Sequence, residues 1–518
     1  MSLLGKIISF GKVELANRLP WALMAYMLGI LACFYFKINM IFGLAIVAIM
    51  GTLLFIARHR LILSWLFLIF FSFFLGLVNI TFRIDFNRHP VLRSPLYQER
   101  ITSTVLENQP LMDKQILTLG QIQWDSPDLN RPTKIKVHYK KTEPFLRAGD
   151  KVKAIVSVYP PNSDFSPAYN RQLWFNQIGG TGVATKMEVM APTHDSAPLF
   201  RARTFINQHL FQILPFSQAE IAAPLMTGEQ KLISPATYQV YRRAGIAHVL
   251  SVSGFHMALL ATFLFFMIRS FCALFPRISL YYNTKKIAAV VALWGTFLYL
   301  GLSGFQIPAL RAFVMIALVF LGVLIERPVL SLNSLMVVAL LLLLGLPQAL
   351  FTISFQLSFM AVMVLVVVCQ YLNEKAWPRF IKISIGFIAL NILVASALTP
   401  FILYHFHQWM PYGVLGNMLF SGAFSFFIMP LLFVGALLIP LGMDAPVFHL
   451  VGWGLDIVRS GAGKLAHLPF AEIPVPTFSS LGLGLIAFGL MMLCLMRSPL
   501  KWLGNLLILV GGLLGILS

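Results

Sequence analysis

Charge is scarce in this 518-residue chain. Only 11% of its residues are Asp, Glu, Lys or Arg, 58% are hydrophobic, and the mean hydropathy is +0.80. So little polar material cannot clothe a water-soluble globule of this length. Carboxylates are scarcer still, 19 against 39 basic residues, which leaves a formal net charge of +20. Most of them fall in one polar stretch, 81–200. The rest of the chain carries only Glu14, Glu220, Glu229, Glu326, Glu374, Asp444, Asp456 and Glu472. A membrane domain so poor in Asp and Glu offers little to a hard cation or a carboxylate proton relay, and suits a polyanion. Positive-inside loops, which bacterial membrane proteins share, account for part of the basic excess. Cysteine is limited to Cys33, Cys272, Cys369 and Cys494, all in or beside apolar runs. That excludes a disulfide framework in the polar stretch and a Cys-based metal site, and leaves the four as small buried hydrophobes.

What is abundant is long apolar runs, such as 61–80, 287–302 and 481–496. Spans of about 20 residues recur about 11 or 12 times. The first run follows Lys6, Lys12, Glu14 and Arg18, and two more follow it at once, so it reads as a retained span and not a cleaved signal. With Arg58 and Arg60 in the second connection, the positive-inside rule puts the N-terminus in the cytoplasm and the segment after residue 80 outside. That segment alternates with period 2. Val152, Ala154, Val156 and Val158 fall on one face, and so do Ile135, Val137 and Tyr139, with turn chemistry at Ser126-Pro127-Asp128, Arg147-Ala148-Gly149-Asp150 and Pro160-Pro161-Asn162. About five strands of this kind predict an OB-type barrel. Residues 201–245 read as amphipathic helices at the outer interface.

Beyond them, basic clusters at Arg269/Arg277/Lys285/Lys286, Arg327, Lys375/Arg379/Lys382 and Arg497/Lys501 separate the apolar runs and are placed in the cytoplasm. This alternation requires Gly413–Leu441, with Pro430 in its middle, to cross twice or fold back, leaving the C-terminus outside. The expected fold is a polytopic α-helical membrane protein with an inserted extracytoplasmic all-β OB-like domain. Its parts are N-terminal spans at 1–80, the β domain at 81–200, interfacial helices at 201–245 and a membrane channel domain at 246–518.

Polar side chains inside apolar runs are costly and must face protein or water. His248, Ser251, Ser253 and His256 crowd the mouth of one run; on a straight helix Val249, Ser253, His256 and Leu260 share a face. Arg311 has apolar neighbours on both sides, and a mid-bilayer guanidinium costs about 2.5 to 3.5 kcal/mol. It serves either phosphate contact or a hydrogen bond to helix-end carbonyls. Ser354, Gln356 and Ser358 line a path or bond between helices. Lys134, Lys136, His138 and Lys140 form the polar face of one strand, suited to tracking a nucleic-acid backbone or simply solvated. His405 and His407 read as interfacial. No Asp or Glu lies near Ser253 and His256 in sequence to orient the imidazole, so no catalytic residue, metal ligand or cofactor is assigned.

The stretch Tyr241-Arg242-Arg243-Ala244-Gly245-Ile246-Ala247-His248-Val249-Leu250-Ser251-Val252-Ser253-Gly254-Phe255-His256-Met257 resembles a signature of the ComEC/Rec2 family of competence proteins. Leu302-Ser303-Gly304-Phe305-Gln306-Ile307-Pro308-Ala309-Leu310-Arg311-Ala312, Ser354-Phe355-Gln356-Leu357-Ser358-Phe359, and His405-Phe406-His407-Gln408 followed by Asn417 agree, in the family's order. So does Pro161-Asn162-Ser163-Asp164-Phe165 through Trp174 to Gly179-Gly180-Thr181-Gly182, in the OB-like region. The resemblance implies an inner-membrane channel that carries single-stranded DNA into the cytoplasm during natural transformation. It also implies a periplasmic DNA-binding protein, a separate nuclease and a cytoplasmic DNA motor as partners, besides the bilayer. Many members continue into a metallo-β-lactamase-like domain whose His-rich motif is not in this sequence, so the chain is expected to bind no zinc. Two rival readings stand beside the channel: a membrane-embedded Ser/His hydrolase using Ser253 and His256, and a transporter of another anionic solute or polymer.

Overall fold

With no water in hydrocarbon to satisfy backbone polar groups, an apolar run can bury its amides only as a helix. The computed structural model describes residues 18–33, 39–111, 114–125, 131–140, 146, 149–161, 173–191, 198–326, 331–496 and 501–516. Lys6, Lys12, Glu14, Arg327 and Arg497, the turns at 126–128 and 147–148, and the motif residues 162–165 lie outside them. Among the described residues seven helices are long and apolar enough to cross a membrane: Met40–His59, Ile62–Phe86, Gly254–Ala273, Thr284–Leu302, Ile353–Asn373, Arg379–Phe406 and Gly413–Leu441. Shorter apolar helices join them at Arg18–Ala32, Ala309–Leu324, Leu332–Gly345, Ser480–Leu495 and Lys501–Gly515. Large apolar side chains point outward along them, as at Ile41, Phe380 and Phe426. The chain is a polytopic membrane protein.

Three helices, α1 (Arg18–Ala32), α2 (Met40–Ile56) and α3 (Leu61–Phe86), precede five strands, β1 (Leu96–Leu111), β2 (Lys114–Trp124), β3 (Lys134–Tyr139), β4 (Lys151–Tyr159) and β5 (Thr181–Ala191). The strands close into a barrel in the order β1-β2-β3-β5-β4, with β3 and β5 parallel and the other pairs antiparallel. This is the OB arrangement. Strand β1 pairs with both β2 and β4, and register slips between Thr102 and Thr104 and between Val105 and Glu107 let it turn from one neighbour to the other. The expected alternation holds: Ile135, Val137, Val152, Val156 and Val158 are fully buried, with Ile101, Val105, Leu117 and Leu119 beside them. At Gly182 any Cβ would collide with the Ser157 carbonyl, so β4 and β5 approach closely there.

The chain divides into two units, this barrel unit and a helical one built mainly from residues 202–518. The helical unit continues with α4 (Pro198–Ile213), α5 (Phe216–Thr227), α6 (Pro235–Arg243), α7 (Gly254–Ala273), α8 (Pro276–Tyr281), α9 (Thr284–Leu302), α10 (Ile307–Leu324), α11 (Leu332–Gly345), α12 (Ile353–Asn373) and α13 (Arg379–Phe406). Then come β6 (Gln408–Trp409), α14 (Gly413–Ala423), α15 (Met429–Leu438), α16 (Ala445–Ala466), β7 (Ile473–Pro474), α17 (Ser480–Leu495) and α18 (Lys501–Ile516).

Two local expectations are corrected here. The segment 201–245 is not interfacial throughout, because every residue of α5 from Ala219 to Thr227 is buried in the main helical core. Its Glu220 is satisfied inside that core by the Ser234 amide at 2.8 Å and the Thr237 hydroxyl at 2.6 Å. Nor does 413–441 fold back on itself. A π-turn at Phe424–Ile428 carries α14 directly into α15 despite Pro430, and the reversal comes at Gly442, where φ is +66°. The return leg is α16, whose buried stripe Phe448, Val451, Leu455, Val458 and Ala462 has helical spacing. Pairing of Gln408 with Pro474 in the β6–β7 ladder brings the start of the outgoing leg beside the end of the returning one.

Candidate functional site

At the start of α7 the chain is not one straight helix, so Val249 and Ser253 do not share a helical face as the spacing suggested. Ala247–Leu250 forms a single tight turn, Ser251 and Ser253 are extended, and the helix begins at Gly254. Serine competes for backbone groups and settles at helix caps. The Ser253 amide donates to Nδ1 of His256 at 3.4 Å, so the imidazole fills the place that Glu or Gln takes in a capping box. Because Nδ1 accepts, the neutral ring carries its proton on Nε2. His256 is wholly buried with its ring beside the Ser251 backbone; the Ser253 side chain faces the His256 amide as the other half of the box, and among the described residues the His256 Nε2 has no hydrogen-bond partner. The Ser251 hydroxyl donates to the His248 carbonyl at 3.2 Å. The nitrogen that a hydrolytic base would need is therefore engaged with backbone.

Arg311 lies in the second turn of α10, about 6 Å along the axis from Ile307, and not at mid-span. It is 7% exposed. Its Nη2 donates to the Ser358 hydroxyl at 3.5 Å, the outer limit for such a bond, while Nε and Nη1 are buried without a partner. Among the described residues this guanidinium holds no carboxylate. On α12, whose first turn is capped by the Thr352 hydroxyl, Gln356 donates to the Leu350 carbonyl at 2.9 Å. Its Oε1 accepts from His405 Nε2 at 2.9 Å. His405, read from the sequence as interfacial, thus belongs to the same polar row. Asn391, which nothing in the sequence singled out, accepts from Asn417 at 2.6 Å and joins α13 to α14.

Most of these groups share one end of the helical unit. Gly254 abuts Ala312, where an added Cβ would meet the alanine methyl at 3.4 Å, so the N-termini of α7 and α10 lie together. The Arg311–Ser358 bond adds the N-terminus of α12. The opposite end of α9 and α10 is closed by an ion pair between Lys286 and Glu326 at 2.9 Å. Three helix N-termini and one guanidinium make the first end attractive to anions. The motif arginines do not add to it: Arg242 and Arg243 are both paired with Glu472, at 2.6 and 3.2 Å. Among the described residues no hydrogen bond joins Arg311 to Ser253 or His256, so the candidates form two neighbouring sets.

In the barrel, Lys134 donates to Gln177 at 3.2 Å, Lys136 and His138 face outward half-buried, and Lys140 is exposed just beyond β3.

A family model described as Competence protein matches residues 225–500, more than half of the chain. The chain belongs to the competence protein family. ComE operon protein 3 of Bacillus subtilis is 25% identical over 453 residues, which is 86% of this chain and 55% of that protein. Competence protein ComA of Neisseria gonorrhoeae is 25% identical over 186 residues, 35% of this chain and 26% of that protein. Recombination protein 2 of Haemophilus influenzae is 23% identical over 358 residues, covering 67% and 42%. The chain thus spans about half the length of the Bacillus relative and less of the other two. No solved structure matches. The family span includes Ser253, His256, Arg311, Gln356, Ser358, His405 and Asn417, and the barrel lies outside it.

Proposed function

We propose that this competence-family chain forms the path by which single-stranded DNA crosses the bacterial inner membrane during natural transformation. The observation that carries the reading is Arg311, a buried guanidinium with two nitrogens unmet and no carboxylate partner among the described residues, set beside Ser358 where the N-termini of α7, α10 and α12 meet. A strand brings one phosphate charge per nucleotide into a low-dielectric slab, so it needs cationic and dipolar groups that hold it weakly enough to slide. Long hydrogen bonds and helix dipoles meet that need better than a tight ion pair would. Membership of the competence family supports DNA as the cargo.

In this reading the N-terminus is cytoplasmic, the barrel is extracytoplasmic, and the Arg311 end is the outer mouth. His248, Ser251, Ser253, His256, Arg311, Gln356 and Ser358 line the way in, and 246–518 acts as the channel domain. The chain itself cuts nothing. A periplasmic binding protein delivers the DNA, a separate nuclease removes the second strand, and a cytoplasmic motor draws the first one in.

The test is uptake of labelled DNA in cells with and without this gene. The expected result is DNA held in the periplasm, with none in the cytoplasm, when the gene is absent. Unchanged delivery to the cytoplasm would overturn the proposal. DNA cleavage by the purified chain, lost in Ser253→Ala, would favour the hydrolase instead.

A further inference from the structure

The outward face of β4 carries Lys151, Lys153, Ile155, Ser157 and Tyr159, since Val152, Ala154, Val156 and Val158 fill the barrel. On one side β1 sets Arg100 opposite Ile155, Thr102 opposite Lys153 and Thr104 opposite Lys151. On the other, β5 sets Lys186 opposite Ile155 and Glu188 opposite Lys153. At the end of this wall the rings of Tyr97 and Tyr159 meet edge to face, 6.0 Å between centroids, and are 66% and 41% exposed. Lys186 is paired with Glu188 at 2.7 Å, which leaves Arg100, Lys151 and Lys153 as an exposed basic row leading to two solvent-facing aromatic rings. From Tyr159 to Lys153 the wall runs about 20 Å, room for several nucleotides.

The chemistry selects the occupant. An extended peptide docks by adding a strand to a free sheet edge, and this barrel is closed. Duplex DNA would engage the lysines but hides its base faces from the tyrosines. Single strands offer both, phosphates for the cations and unstacked bases for the rings, and stacking tolerates any sequence. We propose that the β1–β4–β5 wall binds single-stranded nucleic acid irrespective of sequence, with Tyr97 and Tyr159 as the stacking platform and Arg100, Lys151 and Lys153 on the phosphates. This wall is distinct from the β3 face of Lys134, Lys136 and His138, and the inference rests on DNA being the cargo.

The experiment measures anisotropy of a fluorescent oligothymidylate bound to the full chain in nanodiscs. The double variant Tyr97→Leu/Tyr159→Leu keeps apolar bulk without rings, Tyr97→Phe/Tyr159→Phe keeps the rings, and Lys151→Gln/Lys153→Gln removes charge. The Leu pair should weaken binding about tenfold or more while the Phe pair binds like the parent. The Gln pair should reduce the log-log salt slope by about 0.7 for each phosphate no longer neutralised. If the parent binds and the Leu pair binds equally well, the wall is not the site, though DNA as cargo survives. If the parent binds no oligonucleotide, the wall falls and DNA as cargo must then rest on the uptake assay.

Discussion

The Ser253 amide and the His256 ring close the first turn of α7 on themselves, N–H to Nδ1 at 3.4 Å. A glutamine at 256 can make the same reach, because Ser-x-x-Gln is a capping box, whereas alanine cannot. His256→Gln should therefore melt like the parent in detergent, and His256→Ala should lose on the order of 1 kcal/mol. Both should be defective in transformation, since alanine has no donor and the glutamine amide N–H does not sit where the rigid imidazole holds its Nε2–H. Normal transformation by His256→Gln would reduce the residue to a helix cap.

Gly245 and Gly413 meet backbone to backbone, but they are not equivalent. Gly245 has φ of +75°, and a Cβ there would run into the Gly413 Cα; a Cβ on Gly413 would lie at an ordinary 3.5 Å from the Gly245 Cα. Gly245→Ala suffers both backbone strain and collision, and should sharply reduce the amount of folded protein. Gly413→Ala should be tolerated. Equal abundance of the two variants would mean that this close approach is not required.

Where local pattern and final structure obey the same rule, the sequence was readable. The alternation of Val152, Ala154, Val156 and Val158 carried straight through to the barrel interior, because a closed sheet has one inside. The α16 return leg was missed because Asp456, Arg459 and Lys464 lower its hydropathy, although Phe448, Val451, Leu455 and Val458 carry a legible helical stripe. The face uniting Val249 with Ser253 was misread by assuming a straight helix through Ser251 and Ser253, residues that favour caps. Tyr159 continued the outward face of Lys151 and Lys153 and could have been seen. Its partner Tyr97 could not, since the slip in register at Gln98, where φ is +51°, depends on how β1 meets β4. Distant bonds such as Gln356 to His405 leave no local signal at all.

Orientation is testable with single cysteines after the native four are replaced. Thr133 is exposed in the barrel, and Tyr282 is exposed between α8 and α9, next to Asn283, whose side chain caps α9 and should be kept. Thr133→Cys should react with an impermeant thiol reagent added to intact spheroplasts, and Tyr282→Cys only after lysis. The opposite pattern would invert the topology.

Glu188 is an acidic group on the outward face of the proposed binding wall, opposite Lys153. A hydrogen bond and the charge of Lys186, with Lys153 nearby, hold its carboxyl below the usual carboxylate range. It is therefore ionised at neutral pH and loses its charge only as pH falls through that lowered value. Glu188→Gln should tighten oligonucleotide binding by about twofold to fivefold at low salt and pH 7. The gain should fade at high salt, and also in acid as the parent's own carboxylate protonates. Weaker binding by Glu188→Gln would argue that the Lys186–Glu188 pair shapes the wall.

Arg311 decides whether the membrane end serves DNA or only holds helices together. Among the described residues its one side-chain bond goes to Ser358, long at 3.5 Å, while Nε and Nη1 make none. If the guanidinium were a structural clamp, Ser358→Ala would remove most of what it clamps, and Ser358→Ala and Arg311→Ala should lower abundance alike. If its unmet donors are for phosphate, Ser358→Ala should cost transformation about fivefold or less. Arg311→Ala should then abolish passage into the cytoplasm while DNA still reaches the periplasm and the protein stays at normal abundance. Arg311→Lys keeps the charge but loses the planar fork, so partial rescue is expected. Immunoblots and transformation counts from the same cells separate these cases. Normal transformation by a stably inserted Arg311→Ala protein would remove Arg311 from the path.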